Sequence, residues 1–522
     1  MLAVWISLLL FCPAIVRTGN VLVVPVEGSH WVNMKIIVEE LHSRGHTISV
    51  VRTIDSWYIK EHSPFYTAIT VKSESGFDEG FITELIAKLL EIQRNGRSPW
   101  ARFKLEMEQM EAASVMHIKG AELVERMFED KQLIKSLKDA KFDMVLTDPV
   151  ILAGVMLARH LDLPLVFNVR WTTHGEGHFS IAPSPLSYVP VPGLELSDKM
   201  SFSERVLNIC VYCFTKFHLS QYVVPHYEGL MQKYFSQDSF MSLFQRADLW
   251  LMRIDFVFEF PRPTMPNIKY MGGFQCKPAQ PLPPHLEDFV QSSGEHGVIV
   301  MSLGTLIASL PQEISEEIAA AFAKLPQKVI WRHKGERPAS LGNNTLLVDW
   351  MPQNDLLGHE KTKLFVAHGG TNGVQEAIYH GVPILGLPLI FDQHDNLFKI
   401  KFRGGSKILN IFTIDRESFR QGIEELLHEP SYRTTMERLS RLSRDLPMKP
   451  LDYAIFWIEY VIRNKGAGHL RSESYNMPWY SYYSVDVILL LLGLLLIMIL
   501  TFVVLVKTLC SCVCRRIKRK RD

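Results

Sequence analysis

The chain has 522 residues, of which 47% are hydrophobic and 21% charged. Its 56 basic and 55 acidic residues nearly cancel, which excludes the global positive field that holds a protein on nucleic acid. Setting aside an apolar segment at each end leaves about 460 residues, more than one core usually organises, so two domains are expected.

The first apolar segment, residues 4–15, is followed by Arg17, Thr18 and Gly19. It is short for a membrane span and reads as a secretory leader over residues 1–19. Residues 20–25 then read as a buried strand and 26–29 as a loop. The stretch carrying Ile36, Ile37 and Leu41 reads as a helix stopped by Gly45, ahead of a strand over 46–51. Residues 142–147 give another strand, 152–161 a helix and 165–168 a further strand. Such alternation predicts a parallel sheet covered by helices, filling a first domain over 20–260. Within it, Cys210-Val211-Tyr212-Cys213 has redox spacing, but the run is apolar and lacks a partner pair, so both read as core cysteines.

Seven prolines fall in residues 261–284, around Gly272-Gly273. They argue against regular structure and mark an interdomain linker. Alternation restarts with strands over 298–302, 328–332, 346–348, 364–367 and 384–386. Helices are expected over 314–325 and from near Asn372 and Asp395, completing a second domain over 285–445. Residues 446–486 are assigned to a return segment and a membrane-proximal stalk.

Residues 487–506 carry no charge. At 1.5 Å per residue they span about 30 Å, one hydrocarbon core, so a transmembrane helix in the lipid bilayer is expected. Trp479, Tyr480, Tyr482 and Tyr483 precede it as an aromatic belt. Lys507, Arg515, Arg516, Lys518, Arg519, Lys520 and Arg521 follow it in a tail over 507–522. The basic side is the cytosolic one, which makes a single-pass type I protein with its body in the lumen. Lys518 and Lys520, fifth and third from the end, resemble the dilysine retrieval signal of endoplasmic reticulum membrane proteins; a plain stop-transfer cluster is the alternative. For Cys510, Cys512 and Cys514, palmitoylation and packed thiols both stay open. Asn343-Asn344-Thr345 is the only glycosylation sequon, with Asn343 as acceptor.

No GxGxxG or GxxxxGK[ST] occurs, which excludes the dinucleotide and P-loop readings. Instead His368-Gly369-Gly370-Thr371-Asn372-Gly373 lies between an expected strand and helix. Free N–H groups and the helix dipole make such a turn a phosphate site, and His368 and Asn372 add donors. Trp350 offers a flat face for a base. Glu376, four residues after Asn372 on one helix face, suits a ribose diol.

From Trp350 to Gln393 the chain resembles the 44-residue signature box of UDP-sugar-dependent glycosyltransferases. The box opens Trp350-Met351-Pro352-Gln353-Asn354-Asp355-Leu356-Leu357, passes through the glycine turn and Glu376, and closes on Asp392-Gln393. The resemblance narrows to the animal UDP-glucuronosyltransferases through Gly28-Ser29-His30-Trp31, Met301-Ser302-Leu303-Gly304-Thr305 and Lys449-Pro450-Leu451-Asp452. It implies an α/β GT-B fold of two facing Rossmann-like domains with one C-terminal transmembrane helix. It further implies UDP-glucuronate as co-substrate, small lipophilic acceptors held in the N-terminal half, and a homo-oligomer.

By the same resemblance Ser302, Gly304 and Thr305 lie near the phosphates, Arg332 near the uracil, and Gln353 in the donor site. Asp392 and Gln393 grip sugar hydroxyls. Arg253 matches a basic residue that meets the glucuronate carboxylate, although the tryptophan usual downstream is missing from Arg253-Ile254-Asp255-Phe256. His30 matches the base and Asp148 the carboxylate that orients it. A histidine, with an ordinary pKa near 6.5, suits proton removal from an acceptor at neutral pH. His174-Gly175-Glu176-Gly177-His178 has no evident third ligand and no DxD motif occurs, so neither a metal nor another cofactor is expected. Glucose, galactose or N-acetylglucosamine as donor sugar, and a catalytically silent sugar- or lipid-binding membrane protein, are the alternatives.

Overall fold

The computed structural model describes residues 18–73, 79–94, 99–169, 182–304 and 310–520. It forms two compact units, one ending at Leu470 and one starting at Arg471. In the first unit, strands β1 (Asn20–Val24), β2 (Thr47–Thr53), β3 (Thr67–Val71), β4 (Met144–Thr147), β5 (Leu165–Val169), β6 (Leu249–Met252) and β7 (Ile268–Tyr270) make one sheet. Their order is β3-β2-β1-β4-β5-β6-β7. Strands β8 (Val298–Ser302), β9 (Lys328–Arg332), β10 (Thr345–Val348), β11 (Thr362–Ala367), β12 (Ile384–Gly386) and β13 (Ser406–Ile408) make a second, in the order β10-β9-β8-β11-β12-β13. Every pairing in both sheets is parallel. Strands β4, β5, β6 and β8 are buried along their whole length, as continuous apolar runs in a sheet covered on both faces must be.

In each sheet the chain order reverses beside the first strand, between β1 and β4 and between β8 and β11. A crevice opens there at the carboxyl ends of the strands, where doubly wound sheets bind ligands. The segments after β1, β4, β8 and β11 therefore surround the site, and they carry His30, Asp148, Gly304 and His368.

Helix α1 (Ser29–Ser43) buries Trp31, Met34, Ile37, Val38 and Leu41, an i, i+3, i+4 stripe. Gly45 ends it with φ +89°, its N–H bonded to the His42 carbonyl. Each of those side chains contributes about 1.5–3 kcal/mol through removal from water. Helix α2 (Phe202–His218) behaves differently. Only Asn208 and His218 are buried, while Phe202, Val206, Leu207, Ile209, Phe214 and Phe217 face solvent. Cys210 and Cys213 are exposed with them, which corrects their assignment to the core. An apolar sequence does not bury a helix when none of the described residues packs over its face.

The second sheet carries helices α3 (Thr371–His380) and α4 (Gln393–Phe402). Helix α5 (Pro450–Asn464) leaves that half and inserts Ala454, Ile455, Ile458, Val461 and Ile462 into the core beneath α1. Arg44 bonds Asp452 at 2.6 Å beside it.

The proline-rich stretch is not wholly irregular, contrary to the expectation. Its prolines cluster at 261–266 and 278–284, and between them β7 pairs with β6 as an edge strand. Gly19, assigned to the leader, is built into the folded body. Its N–H donates to His46 Nδ1 at 2.9 Å and its carbonyl accepts from Thr47. The leader's apolar run lies outside the described residues.

The second unit contains α6 (Val485–Arg519), the one helix among the described residues long and apolar enough to cross a membrane. Its most apolar stretch has a mean hydropathy of 3.3. At 35 residues it is about 52 Å long, so the expected span of 487–506 is its apolar part and its basic end continues as helix.

Candidate active site

His30 stands in the first turn of α1, immediately beyond β1. Its Nδ1 lies 2.6 Å from Oδ2 of Asp148, which is wholly buried beyond the end of β4. The other oxygen, Oδ1, accepts from the Val150 N–H at 3.0 Å, so both carboxylate oxygens are held. Thr147 Oγ1 donates to the Val24 carbonyl at 2.6 Å, locking the ends of β1 and β4 together just before these residues. A carboxylate facing Nδ1 assigns the proton there and leaves the Nε2 lone pair for a substrate proton. Residues 118 apart in sequence thus form one hydrogen-bonded histidine–carboxylate pair.

Across the crevice, β11 ends at Ala367, the turn His368-Gly369-Gly370 follows, and α3 begins at Thr371. The loop after β8 meets this turn. Gly304 has φ +81°, and a Cβ on it would lie 2.5 Å from His368 Nε2; one on Gly370 would lie 2.6 Å from the same atom. The His368 ring therefore fits only because both loops lack side chains there. Gly373 lies close to Phe365 and to Gln353, and Gly369 has φ +92°. The Gly304 N–H donates to Ser302 Oγ at 3.4 Å. Thr305 lies outside the described residues.

Arg332, the last residue of β9, donates through Nε to the Asp349 carbonyl at 3.1 Å and through Nη1 to the Gly304 carbonyl, joining the loops after β8 and β10. Trp350 is 73% exposed, so its ring face is open for stacking. Gln353 Nε2 donates to Glu376 at 2.7 Å. Burial pushes the Glu376 carboxyl up to about 7, with Asp355 adding to the rise and Gln353 opposing it.

Asp392 accepts from Thr371 Oγ1 at 2.8 Å and from Asn396 at 2.9 Å. Gln393 is buried, its side-chain carbonyl accepting from the N–H groups of Leu389 and Ile390. Asn396, not singled out from the sequence, also donates to the Gly369 carbonyl at 3.0 Å and so ties the glycine turn to α4.

Arg253, at the end of β6, is fully buried. Its Nη2 donates to Asn372 Oδ1 at 2.7 Å and its guanidinium lies over the Phe274 ring. Asn33, one turn beyond His30 on α1, meets Asn372 as well, at 2.8 Å. Sequence reasoning missed Asn33, whose partner is 339 residues away. Gln375 donates to the Arg253 carbonyl, and Gln275 to Gln375 at 2.9 Å. Two further ties hold the halves together: Asp395 accepts from the Glu195 N–H at 2.9 Å and from that of Gly193, and Lys399 bonds Glu259 at 2.6 Å.

Among the described residues no cluster of three or more His, Cys, Asp or Glu is arranged to hold a metal ion. The stretch from His174 to His178 lies outside them. Asn343 is exposed at the entry to β10.

Comparison with known proteins places this geometry. A family model described as UDP-glucoronosyl and UDP-glucosyl transferase matches residues 19–522. UDP-glucuronosyltransferase 2A2 of Homo sapiens is 39% identical over 523 residues, covering 97% of this chain and 95% of the relative. UDP-glucuronosyltransferase 2B17 of Homo sapiens is 38% identical, covering 97% and 96%. Among solved structures, the calicheamicin glycosyltransferase CalG4 superposes with a TM-score of 0.56 at 18% identity, over 86% of this chain and 98% of its own. The glycosyltransferase VinC in complex with dTDP gives 0.55 at 18%, over 85% and 100%. Two facing parallel sheets with a crevice between them, and a family match over residues 19–522, agree: the chain belongs to the UDP-glucuronosyl and UDP-glucosyl transferase family and is a UDP-glycosyltransferase of GT-B fold.

Proposed function

We propose that the protein moves glucuronic acid from UDP-glucuronate to a hydroxyl of small lipophilic acceptors, with inversion, forming β-glucuronides. The observation that carries the reading is the 2.6 Å bond between His30 and Asp148, set opposite a glycine turn at the start of a helix. Nε2 of His30 takes the acceptor proton while the acceptor oxygen bonds the anomeric carbon. The bond from that carbon to UDP breaks, and its electron pair leaves with the diphosphate. That charge meets the N–H groups at the start of α3 and the loop of Ser302, Gly304 and Thr305. Asp148 holds the ring tautomer and stabilises the imidazolium. Attack opposite the leaving group turns the α-linked donor into a β-linked product. Trp350 and Arg332 take the uracil, Gln353 and Glu376 the ribose, and Asp392 and Gln393 the sugar. The reaction needs no metal.

The names of the relatives support glucuronate as the sugar. A neutral hexose is the second reading, favoured by the enclosure of Arg253, whose guanidinium is engaged by Asn372. Purified protein, offered a panel of UDP-sugars with one simple phenol, separates the two. UDP-glucuronate is expected to give the highest kcat/KM, and Arg253→Leu to lower its use more than that of UDP-glucose. Preference for UDP-glucose, or equal losses in the variant, would favour the neutral sugar.

The same reading makes this a single-pass membrane protein of the endoplasmic reticulum, with its body in the lumen, its tail in the cytosol, a glycan on Asn343 and a homo-oligomeric state. The basic end of α6 supports that orientation, and the exposure of Asn343 supports the glycan.

A further inference from the structure

His30 and Asn33 are three residues apart on α1 and so lie on one face of it. His30 reaches Asp148, within the first sheet. Asn33, itself buried, reaches Asn372 in the first turn of α3, on the second sheet. Arg253 closes the cluster. A guanidinium has only donors, so the Asn33 amide turns its oxygen toward it. In that orientation Asn33 Oδ1 accepts from Arg253 Nη1 at 2.9 Å, from Nη2, and from Asn372 Nδ2 at 3.1 Å. In the opposite orientation its Nδ2 donates to Asn372 Oδ1 at 2.8 Å. Either way Asn33 is joined to the residue that follows the glycine turn.

The two functional groups of the transfer sit on opposite sheets, and their separation is set by whatever fixes α1 against α3. The Gln375 tie reaches α3 from the segment after β6, and the Asp395 and Lys399 ties bind other segments of the two halves, so none of the three involves α1. The Asn33 bond starts one helical turn from the base and ends one residue past the turn's Thr371. Its Asn33 end is buried, where a polar group left without its partner is penalised.

We propose that Asn33 is a positioning residue for glycosyl transfer, holding the helix of the base in register with the diphosphate turn through Asn372 and Arg253. The proposal rests on the transferase reading above. A displacement of about 1 Å between base and anomeric carbon is enough to cost on the order of a hundredfold in rate. Binding of UDP itself, which the transferase reading places on the second sheet, is left in place.

The test uses the full-length protein in detergent, with kcat normalised to UDP-binding sites titrated by calorimetry. Asn33→Ala is expected to lower kcat per UDP site by about ten- to a hundredfold, with the Kd for UDP within about threefold of wild type. A merely structural residue would reduce the number of UDP sites and leave kcat per site unchanged. Asn33→Asp keeps an acceptor facing Arg253 and Asn372, and is expected to recover most of the rate. Wild-type kcat per site in Asn33→Ala, or Asn33→Asp as slow as Asn33→Ala, would overturn the proposal while the transferase reading stands. A wild-type protein that transfers no sugar from any UDP-sugar would overturn the transferase reading, and this proposal with it.

Discussion

The crevices of the two sheets share a strand order but meet different chemical demands. On the proposed mechanism the working parts at β1 and β4 are two side chains, His30 and Asp148, whose bond sits beside a locked pair of strand ends. At β8 and β11 the same mechanism assigns the work to backbone N–H groups, and the structure lacks side chains at Gly304 and Gly370 where a Cβ would meet His368. A base has to be aimed, so its surroundings are packed and hydrogen-bonded. A diphosphate has to be approached, so its surroundings are pared away. The first kind of site fails when a group is removed, and the second when an atom is added.

The largest expected effect breaks the first site alone. His30→Ala should reduce kcat by about a hundred- to ten-thousandfold, while UDP binding, measured by calorimetry, stays near wild type. Loss of UDP binding together with activity would show that the two crevices do not divide the work. The next effect breaks the second site by addition. Gly304→Ala places a Cβ against His368 at a left-handed backbone position, and should weaken UDP by about ten- to a hundredfold. An unchanged Kd would mean that this loop does not frame the diphosphate.

The smallest effect is a pH dependence that sharpens the comparison. Because burial raises the Glu376 carboxyl from 4.5 to about 7, it is mostly protonated at pH 6 and mostly ionised at pH 8. An ionised carboxylate accepts both ribose hydroxyls, so UDP affinity should rise with pH across that window, by up to about tenfold. The proton retained in the folded state also means that this group's contribution to stability falls as pH rises from 4.5 through 7. Glu376→Gln should flatten the affinity profile; an identical slope in the variant would assign the titration elsewhere.

Much of this architecture was legible in the sequence, because its signals are local. Strands β8, β9 and β12 have the bounds that the apolar runs and flanking turns predict. The glycine turn announces itself through six adjacent residues. His30 and Asp148 stood out because each follows a strand end, with the family resemblance naming both. Asn33 and Asn396 had no such signal. Each is one polar residue on a helix, and its meaning comes from partners that only folding brings near. The exposed α2 misled for the opposite reason, since composition records what a helix offers and not whether anything covers it. Strand β7 was hidden because prolines on both sides of it were read as one irregular stretch.

The return of α5 to the first sheet affects how the protein is made. Arg44 and Asp452 are separated by 408 residues, so at ribosomal speeds of about 5–20 residues per second the second is added some 20 to 80 s after the first. Throughout that interval the apolar floor under α1 lacks the side chains of Ile455, Ile458 and Val461. The half that carries His30 is thus the first to be synthesised and among the last to be completed. A nascent chain stopped before residue 450 presents an open hydrophobic surface, a ready substrate for chaperones.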